Sequence, residues 1–212
     1  MINKLEYYGV RGKQLDWFIS YLIGRTQRTF VNGIWSSVGV TNCGVPQGTV
    51  LGPLLFLIYI NDISKATVNS NIKLFADDSN LFIVSDNLNQ LYSIANNELC
   101  LISDWLNSNK LYPNYDKTNY MIFQPSTYKD KKILFNGCDL IFGNHKLERI
   151  HCAKYLGVLI DENLSWSDHI DSLSNKISSI IGIIYRNRHL LPLHCKKKYI
   201  FCTCLLKFDL LY

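Results

Sequence analysis

The sequence predicts an α+β fold, an antiparallel sheet with helices packed on one face. Three observations carry this. Two strand pairs alternate with two helical segments over the first half of the chain. Each strand pair is closed by a short turn signal, Asn32-Gly33 in the first and Asp77-Asp78 in the second. After the second pair, apolar residues recur at helical spacing over a long segment, which gives it one side to bury. The 212 residues, nearly half of them hydrophobic, are enough for one large domain or a domain with a small satellite, and the composition argues against disorder.

Taken in order, Leu5-Glu6-Tyr7-Tyr8-Gly9 reads as the tail of a helix entering a glycine turn. Leu15, Phe18, Ile19 and Leu22 mark a second helix, with Gly24 as its stop. Gln27–Val31 and Ile34–Val40 flank Asn32-Gly33, with Arg25 and Arg28 at the base of the hairpin. From Asn42 to Phe56, Gly44, Gly48 and Gly52 with Pro46 and Pro53 form a loop running into an apolar helix, where Pro53 is tolerated only near the first turn. Gly44 and Gly48 would let backbone approach a bulky partner, and Gln47 offers an amide that both donates and accepts; a structural turn before a core helix fits equally.

Ile72–Ala76 and Asn80–Val84 read as the strands around Asp77-Asp78. Leu88, Leu91, Ile94, Ala95, Ile102, Trp105 and Leu106 then line one side of a long helix capped by Ser85 or Asp86. Lys117 stands just ahead of an apolar strand that ends at Phe123. Short strands follow at Ile133–Phe135, Leu140–Phe142, Leu147–Ile150 and Tyr155–Ile160, with turns at Asn136-Gly137 and Gly143-Asn144. Ser165–Asp168 caps a helix with an apolar face of Ile170, Leu173, Ile177, Ile180, Ile181 and Ile184. Tyr199–Tyr212 stops without a capping residue or polar tail, as a cut end would.

The chemistry centres on Asp77 and Asp78. Neighbouring residues on a straight strand face opposite ways, so both can serve one site only where the backbone turns. Side by side the carboxylates repel, and a bound divalent cation is the simplest way to keep both ionised; hard oxygen ligands suit magnesium. An ordinary polar turn is the alternative.

The longest apolar run, Val50–Ile60, is too short to span a membrane, and no signal peptide is evident, so no membrane role is indicated. Seven cysteines without a C-x-x-C pair favour reduced thiols inside a cell, in nucleus or cytoplasm. His151-Cys152 and His194-Cys195 with Cys202 and Cys204 match no familiar zinc spacing, and buried small hydrophobes are expected instead. The net charge of +5 is concentrated at the end, where Lys176, Arg186, Arg188, Lys196, Lys197, Lys198 and Lys207 face Asp209 alone. Such a segment suits phosphate contacts, or is a solvated helix face.

These motifs resemble those of the reverse transcriptases of non-LTR retrotransposons, of the LINE and jockey-like type. Gly44-Val45-Pro46-Gln47-Gly48-Thr49-Val50-Leu51-Gly52-Pro53-Leu54-Leu55-Phe56 is similar to the family's palm motif B. Phe75-Ala76-Asp77-Asp78 resembles its Asp-Asp motif C, Lys117-Thr118 the lysine of motif D, and Tyr155–Asp161 the primer-grip hairpin, motif E. The similarity runs from the first residues to at least Leu191. It implies a right-hand polymerase, with partial fingers and palm over residues 1–160 and a truncated, helical thumb start over 161–212.

The resemblance further implies RNA-directed DNA synthesis, in which a primer 3′-hydroxyl attacks a deoxynucleotide with two magnesium ions bound. The expected partners are an RNA template, a DNA primer and deoxynucleotide substrates. Asp77 and Asp78 would be the metal ligands and, with Lys117, the catalytic residues. Pro46, Gln47, Gly48, Phe75 and Ala76 would shape the nucleotide and template pocket, and Arg186, Arg188, Lys196, Lys197 and Lys198 would grip duplex backbone.

Departures accompany the matches. The family's motif A aspartate lies upstream of the first residue here, and neither Asp16, in a predicted helix, nor Asp62, at a helix end, replaces it. Pro113 enters the approach to Lys117, and Cys202–Phe208 drifts from the family's thumb helix. Without the third carboxylate the isolated chain is expected to be inactive. The alternative is a non-catalytic remnant or co-opted module that binds nucleic acid through its basic segment.

Overall fold

Leu5 is the first residue sealed from solvent, on a six-residue helix, α1 (Ile2–Tyr7). So short a helix does not hold itself. Its neighbour Lys4 donates to the Tyr59 carbonyl and to Asp62 Oδ1, both at 2.6 Å, and its ammonium lies 4.4 Å from the Tyr59 ring centre and 5.0 Å from that of Trp105. Asp62 is therefore committed to an ion pair at the end of a helix, as its position in the sequence predicts.

The computed structural model describes residues 1–41, 44–46, 48–123, 139–190 and 192. The chain forms two compact units, Met1–Tyr112 with Leu140–Gly143, and Pro113–Asp139 with Asn144–Tyr212. No described helix is long and apolar enough to cross a membrane.

In the first unit, α2 (Gly12–Leu22) contains Asp16 and ends before Gly24, which takes a φ of 71°. The first hairpin follows. Asn32 and Gly33 take φ values of 50° and 81°, the pair of positive angles that a type I′ turn requires. Each predicted strand is broken in two, into β1 (Thr26–Gln27) and β2 (Phe30–Val31) on one side and β3 (Ile34–Trp35) and β4 (Gly39–Val40) on the other. The break has a local cause: the Ser36 hydroxyl accepts the Thr29 N–H at 2.9 Å, taking a donor that a continuous ladder would use. The whole hairpin is exposed, with the Phe30 and Trp35 rings 4.6 Å apart and the Arg28 guanidinium 4.1 Å over Trp35.

Helix α3 (Leu51–Ile60) accommodates Pro53 in its first turn, where no N–H is needed. Gly52 is required by space: a Cβ there would lie 3.0 Å from the Pro46 carbonyl oxygen. Thr49 Oγ1 donates to that carbonyl at 2.9 Å and accepts from Gly52 N at 3.2 Å and Tyr21 Oη at 3.0 Å. A 3₁₀ turn, Asn61–Lys65, leads to the second hairpin, β5 (Asn71–Phe75) and β6 (Asp78–Phe82), and then to α4 (Leu88–Ser108).

Asn87, not Ser85 or Asp86, caps α4. It is the residue immediately outside the first turn, and its Oδ1 accepts from Asn89 N at 2.8 Å. The sealed side of α4 is Tyr92, Ala95, Glu98, Leu99 and Ile102, which joins Leu5, Leu55, Ile60 and Ile63 in the buried set of this unit. Leu88, Leu91, Ile94, Trp105 and Leu106 flank it half-buried.

In the second unit Asn114 caps a 3₁₀ turn, Tyr115–Lys117, and β7 (Asn119–Tyr120) follows. The predicted turn at Gly143-Asn144 separates β8 (Ile141–Phe142), part of the first unit, from β9 (His145–Lys146). The predicted strand at Leu147–Ile150 is trimmed to β10 (Glu148–Arg149), which runs parallel to β7. Tyr155–Ile160, expected as one strand from its residue pattern and as a hairpin from the resemblance to motif E, holds the turn of a hairpin between β11 (Cys152–Tyr155) and β12 (Val158–Asp161). Leu156 and Gly157 take φ values of 45° and 93°, so the chain reverses inside the apolar run. The predicted strand Ile133–Phe135 and the turn Asn136-Gly137 lie outside the described residues.

Described strands associate only in pairs, so the single antiparallel sheet expected from the sequence is not formed among them. Most of these strands are two residues long and offer no edge to a third. The architecture is a mixed α/β one of small ribbons and helices.

The last described helix, α5 (Ser167–Arg186), is not capped by its own first residues. Trp166 precedes it with a φ of 64°, Ser165 Oγ accepts the Ser167 N–H at 3.4 Å, and Asp161 orders the loop ahead of the helix, its carboxylate accepting from Asn163 N at 3.0 Å, Ser165 N at 3.0 Å and Trp166 N at 3.1 Å. The predicted apolar face is only partly covered, since Ile170 and Ile181 are 60% and 59% exposed and His169 is its one buried residue.

The bonds from Ser165 outweigh burial and, with those from Asn163 and Trp166, hold the Asp161 carboxyl below its usual range. A lowered value means that its stabilising effect is complete above the ordinary aspartate range and fades as pH falls through the folded value. Asp161→Asn is therefore expected to melt earlier than the unchanged chain at pH 7. The gap should close below about pH 4; a gap constant down to pH 2 in thermal melts would contradict the assignment.

Candidate active site

The second hairpin turns more tightly than its sequence predicts. Phe75 pairs with Asp78, which leaves only Ala76 and Asp77 in the turn. The predicted strands, Ile72–Ala76 and Asn80–Val84, therefore shift toward the N-terminus, and Asp78 becomes the first residue of β6. Ala76 makes this possible by adopting a φ of 52°, a left-handed conformation in which a residue with a Cβ is strained.

Register assigns the faces. Paired residues share a face, so Lys73, Phe75, Asp78 and Asn80 lie on one side and Ile72, Leu74, Ser79 and Leu81 on the other. The second side is the more protected, while Phe75 is 60% exposed. Asp77 stands off the ladder, so strand alternation does not separate it from Asp78. Both carboxylates are exposed, and neither has an ion-pair partner among the described residues.

Two such carboxylates are the right donors for one hard divalent cation, whose other positions go to water and phosphate oxygens. They do not by themselves hold two. No group of three or more His, Cys, Asp or Glu side chains able to hold a metal occurs among the described residues.

Of the other predicted site residues, Phe75 and Ala76 share the tip with Asp77 and Asp78. Pro46 and Gly48 lie in the loop before α3, Gly48 with a φ of 75°, and the Gly44 carbonyl accepts from Arg25 Nη2 at 2.6 Å. Gln47 is outside the described residues. Lys117 belongs to the second unit and closes the 3₁₀ turn there; its N–H is received by the Asn114 side chain at 3.3 Å. Arg186 ends α5 and is exposed, and the Arg188 guanidinium lies 4.1 Å over the Tyr185 ring. Lys196, Lys197 and Lys198 lie outside the described residues.

One residue that holds the base of the hairpin carries no motif. Glu98, fully buried on α4, accepts from Asn69 N at 2.9 Å, Val68 N at 3.1 Å and Ser70 Oγ at 2.5 Å, just ahead of β5. Burial opposes its charge, yet these bonds outweigh burial and hold the carboxyl below its usual range. The available signal was an acid set inside the apolar stripe, between Ala95 and Ile102.

Glycine-rich loop, apolar helix and carboxylate-tipped hairpin follow one another along the first unit, and the family comparison identifies the class of protein that carries them. The model for "Reverse transcriptase (RNA-dependent DNA polymerase)" matches residues 1–160, and the chain belongs to this family. Its relatives come from mobile elements. The RNA-directed DNA polymerase from mobile element jockey of Drosophila melanogaster is 29% identical over 189 residues, 84% of this chain and 20% of the relative. The probable RNA-directed DNA polymerase from transposon X-element of the same organism is 26% identical, over 78% of this chain and 18% of its own length. A Pol polyprotein from the type-1 retrotransposable element R1 of Bradysia coprophila is 25% identical over 68% of this chain. The chain thus spans about a fifth of the length of the first two relatives. No solved structure matches it significantly.

Proposed function

We propose that this chain is the part of an RNA-directed DNA polymerase of a non-LTR retrotransposon that carries its Asp-Asp metal site. The observation that carries the reading is the exposed Asp77-Asp78, without an ion-pair partner among the described residues, at the tip of a two-residue hairpin in a chain of this family. Asp77 and Asp78 would hold magnesium, which when bound supplies neutralising charge to the nucleotide phosphates. Pro46, Gln47, Gly48, Phe75 and Ala76 shape the pocket for nucleotide and template. By the resemblance to motif D, Lys117 would help neutralise or protonate the departing pyrophosphate. Residues 1–160 belong to the palm and part of the fingers, and residues 161–212 begin the thumb. Template, primer and deoxynucleotides are the substrates of the whole polymerase.

A second reading, a nucleic-acid-binding module without catalysis, is favoured by one observation: the described residues gather only two carboxylates where two-metal chemistry needs a bridging third. Primer extension on an RNA template with magnesium separates the two. Extension is expected only from a longer chain that also carries the family's motif A strand; robust extension by the 212-residue chain alone would show that the third carboxylate is dispensable.

The basic segment has its own test. Exposed Arg186 and Arg188 touch duplex phosphates on this reading. Arg186→Glu combined with Arg188→Glu should weaken RNA–DNA duplex binding and flatten the log Kd against log salt slope by about two, near 0.9 for each phosphate no longer neutralised. An unchanged slope in anisotropy titrations would identify the arginines as solvated surface.

A further inference from the structure

We propose that Glu98 is a positioning residue for the candidate active site: its buried carboxylate fixes the chain entering the Asp77-Asp78 hairpin and so sets where both carboxylates sit. The inference rests on reading those aspartates as cation ligands. Glu98 receives three donors from consecutive residues, Val68 N–H, Asn69 N–H and the Ser70 hydroxyl, at 3.1, 2.9 and 2.5 Å. The next residue, Asn71, begins β5.

A strand partner could not take these donors. By the register that pairs Asn71 with Phe82, Asn69 would face Val84, but β6 has ended at Phe82 and Val84 is 90% exposed. The carboxylate therefore stands in for the missing strand at the base of the ribbon. The other strand is tied to the same helix through the chain itself, because β6 runs by a short link into α4. Both legs of the hairpin are thus anchored on α4, one covalently and one through Glu98.

The tip lies six residues beyond Asn71, about 20 Å at roughly 3.3 Å per residue. At that length a tilt of about 5° at the clamp moves the tip by about 2 Å, enough to misplace ligand oxygens. Hydrophobic packing of α4 would seal this region equally well without a charge. A buried acid is useful here because only an acceptor-rich group can receive three donors at once.

The test uses the 15N-labelled 212-residue chain, with Mn2+ as the probe ion and three readouts: amide exchange at Val68 and Asn69, resonance positions at Ala76, Asp77 and Asp78, and Mn2+-induced broadening at those three. Glu98→Gln keeps the shape but offers one acceptor oxygen where three donors converge. It should speed exchange at Val68 and Asn69, shift the resonances of residues 76–78 and weaken Mn2+ binding there by about fivefold. Ser70→Ala, which removes one bond without touching α4, should give the same changes at about twofold, and decides the matter if Glu98→Gln does not fold. Faster exchange at residues 68 and 69 with unmoved tip resonances and unchanged Mn2+ affinity would overturn the proposal and leave Glu98 a local clamp. If Mn2+ does not broaden residues 76–78 of the unaltered chain, or still does so in Asp77→Asn, the cation-site reading fails instead. The tip resonances then decide the role of Glu98 on their own.

Discussion

Asp77→Asn, placed in a longer chain that extends a primer, is expected to lower the magnesium-dependent extension rate by about a thousandfold, some 4 kcal/mol of transition-state stabilisation. The substitution is chosen because it changes little else. Asparagine is accepted in turns as readily as aspartate, and Asp77 lies in the two-residue turn outside the β5–β6 ladder. Its carboxylate is exposed and has no ion-pair partner among the described residues, so folding does not depend on its charge. Only a role in holding a cation makes the charge matter. The variant should keep its circular dichroism spectrum and its affinity for template–primer, and lose rate. A loss below about tenfold would remove Asp77 from the metal site.

The second large effect is on stability. Leu55 is 1% exposed on α3, and Leu55→Ala is expected to cost about 3 to 4 kcal/mol, from lost transfer energy and the cavity left behind. For a chain of this size that lowers Tm by roughly 10 °C. Leu54, its neighbour, is 53% exposed, and Leu54→Ala should cost less than about 1 kcal/mol. Urea melts of the two variants check the contrast, which should show in the midpoint with little change in slope. Equal losses would mean that α3 packs differently from the arrangement described.

The same helix shows where sequence reading stops. Leu51–Ile60 is apolar on every side, so periodicity could not tell Leu55 from Leu54. Signals tied to a residue's own backbone did better. Asn32-Gly33 marked its turn because few other pairs tolerate two positive φ angles, and the break around Asp77-Asp78 marked the other. Leu156 and Ala76 take positive φ against their own preference, so residue pattern alone read the apolar run at Tyr155–Ile160 as one strand, where the resemblance to motif E implied a hairpin, and the Asp-Asp turn is tighter than its sequence predicts. The cap of α4 was misplaced for a related reason, since Asn87 wins over Ser85 by its position, and the hold of Asp161 on the loop ahead of α5 comes from a strand end outside the helix signal. The candidate site residues were legible as a motif, whereas Glu98, which holds the base of their hairpin, required knowing which loop faces α4.

The Asn87 cap and the Glu98 bonds carry a consequence for how the chain reaches its native state. The hairpin closes through a two-residue turn and leads by a short link into α4, so these pairings are local, whereas the Glu98 bond to Val68 joins residues 30 apart. Loop-closure entropy grows only slowly with length, and pairings of small sequence separation form early. Hairpin and helix therefore make a folding unit whose order does not wait on distant parts of the polypeptide. A pulse-labelling experiment on refolding should find the amides of β5, β6 and α4 protected together, ahead of those in the parallel β7–β10 pair, which has no tight turn to start it.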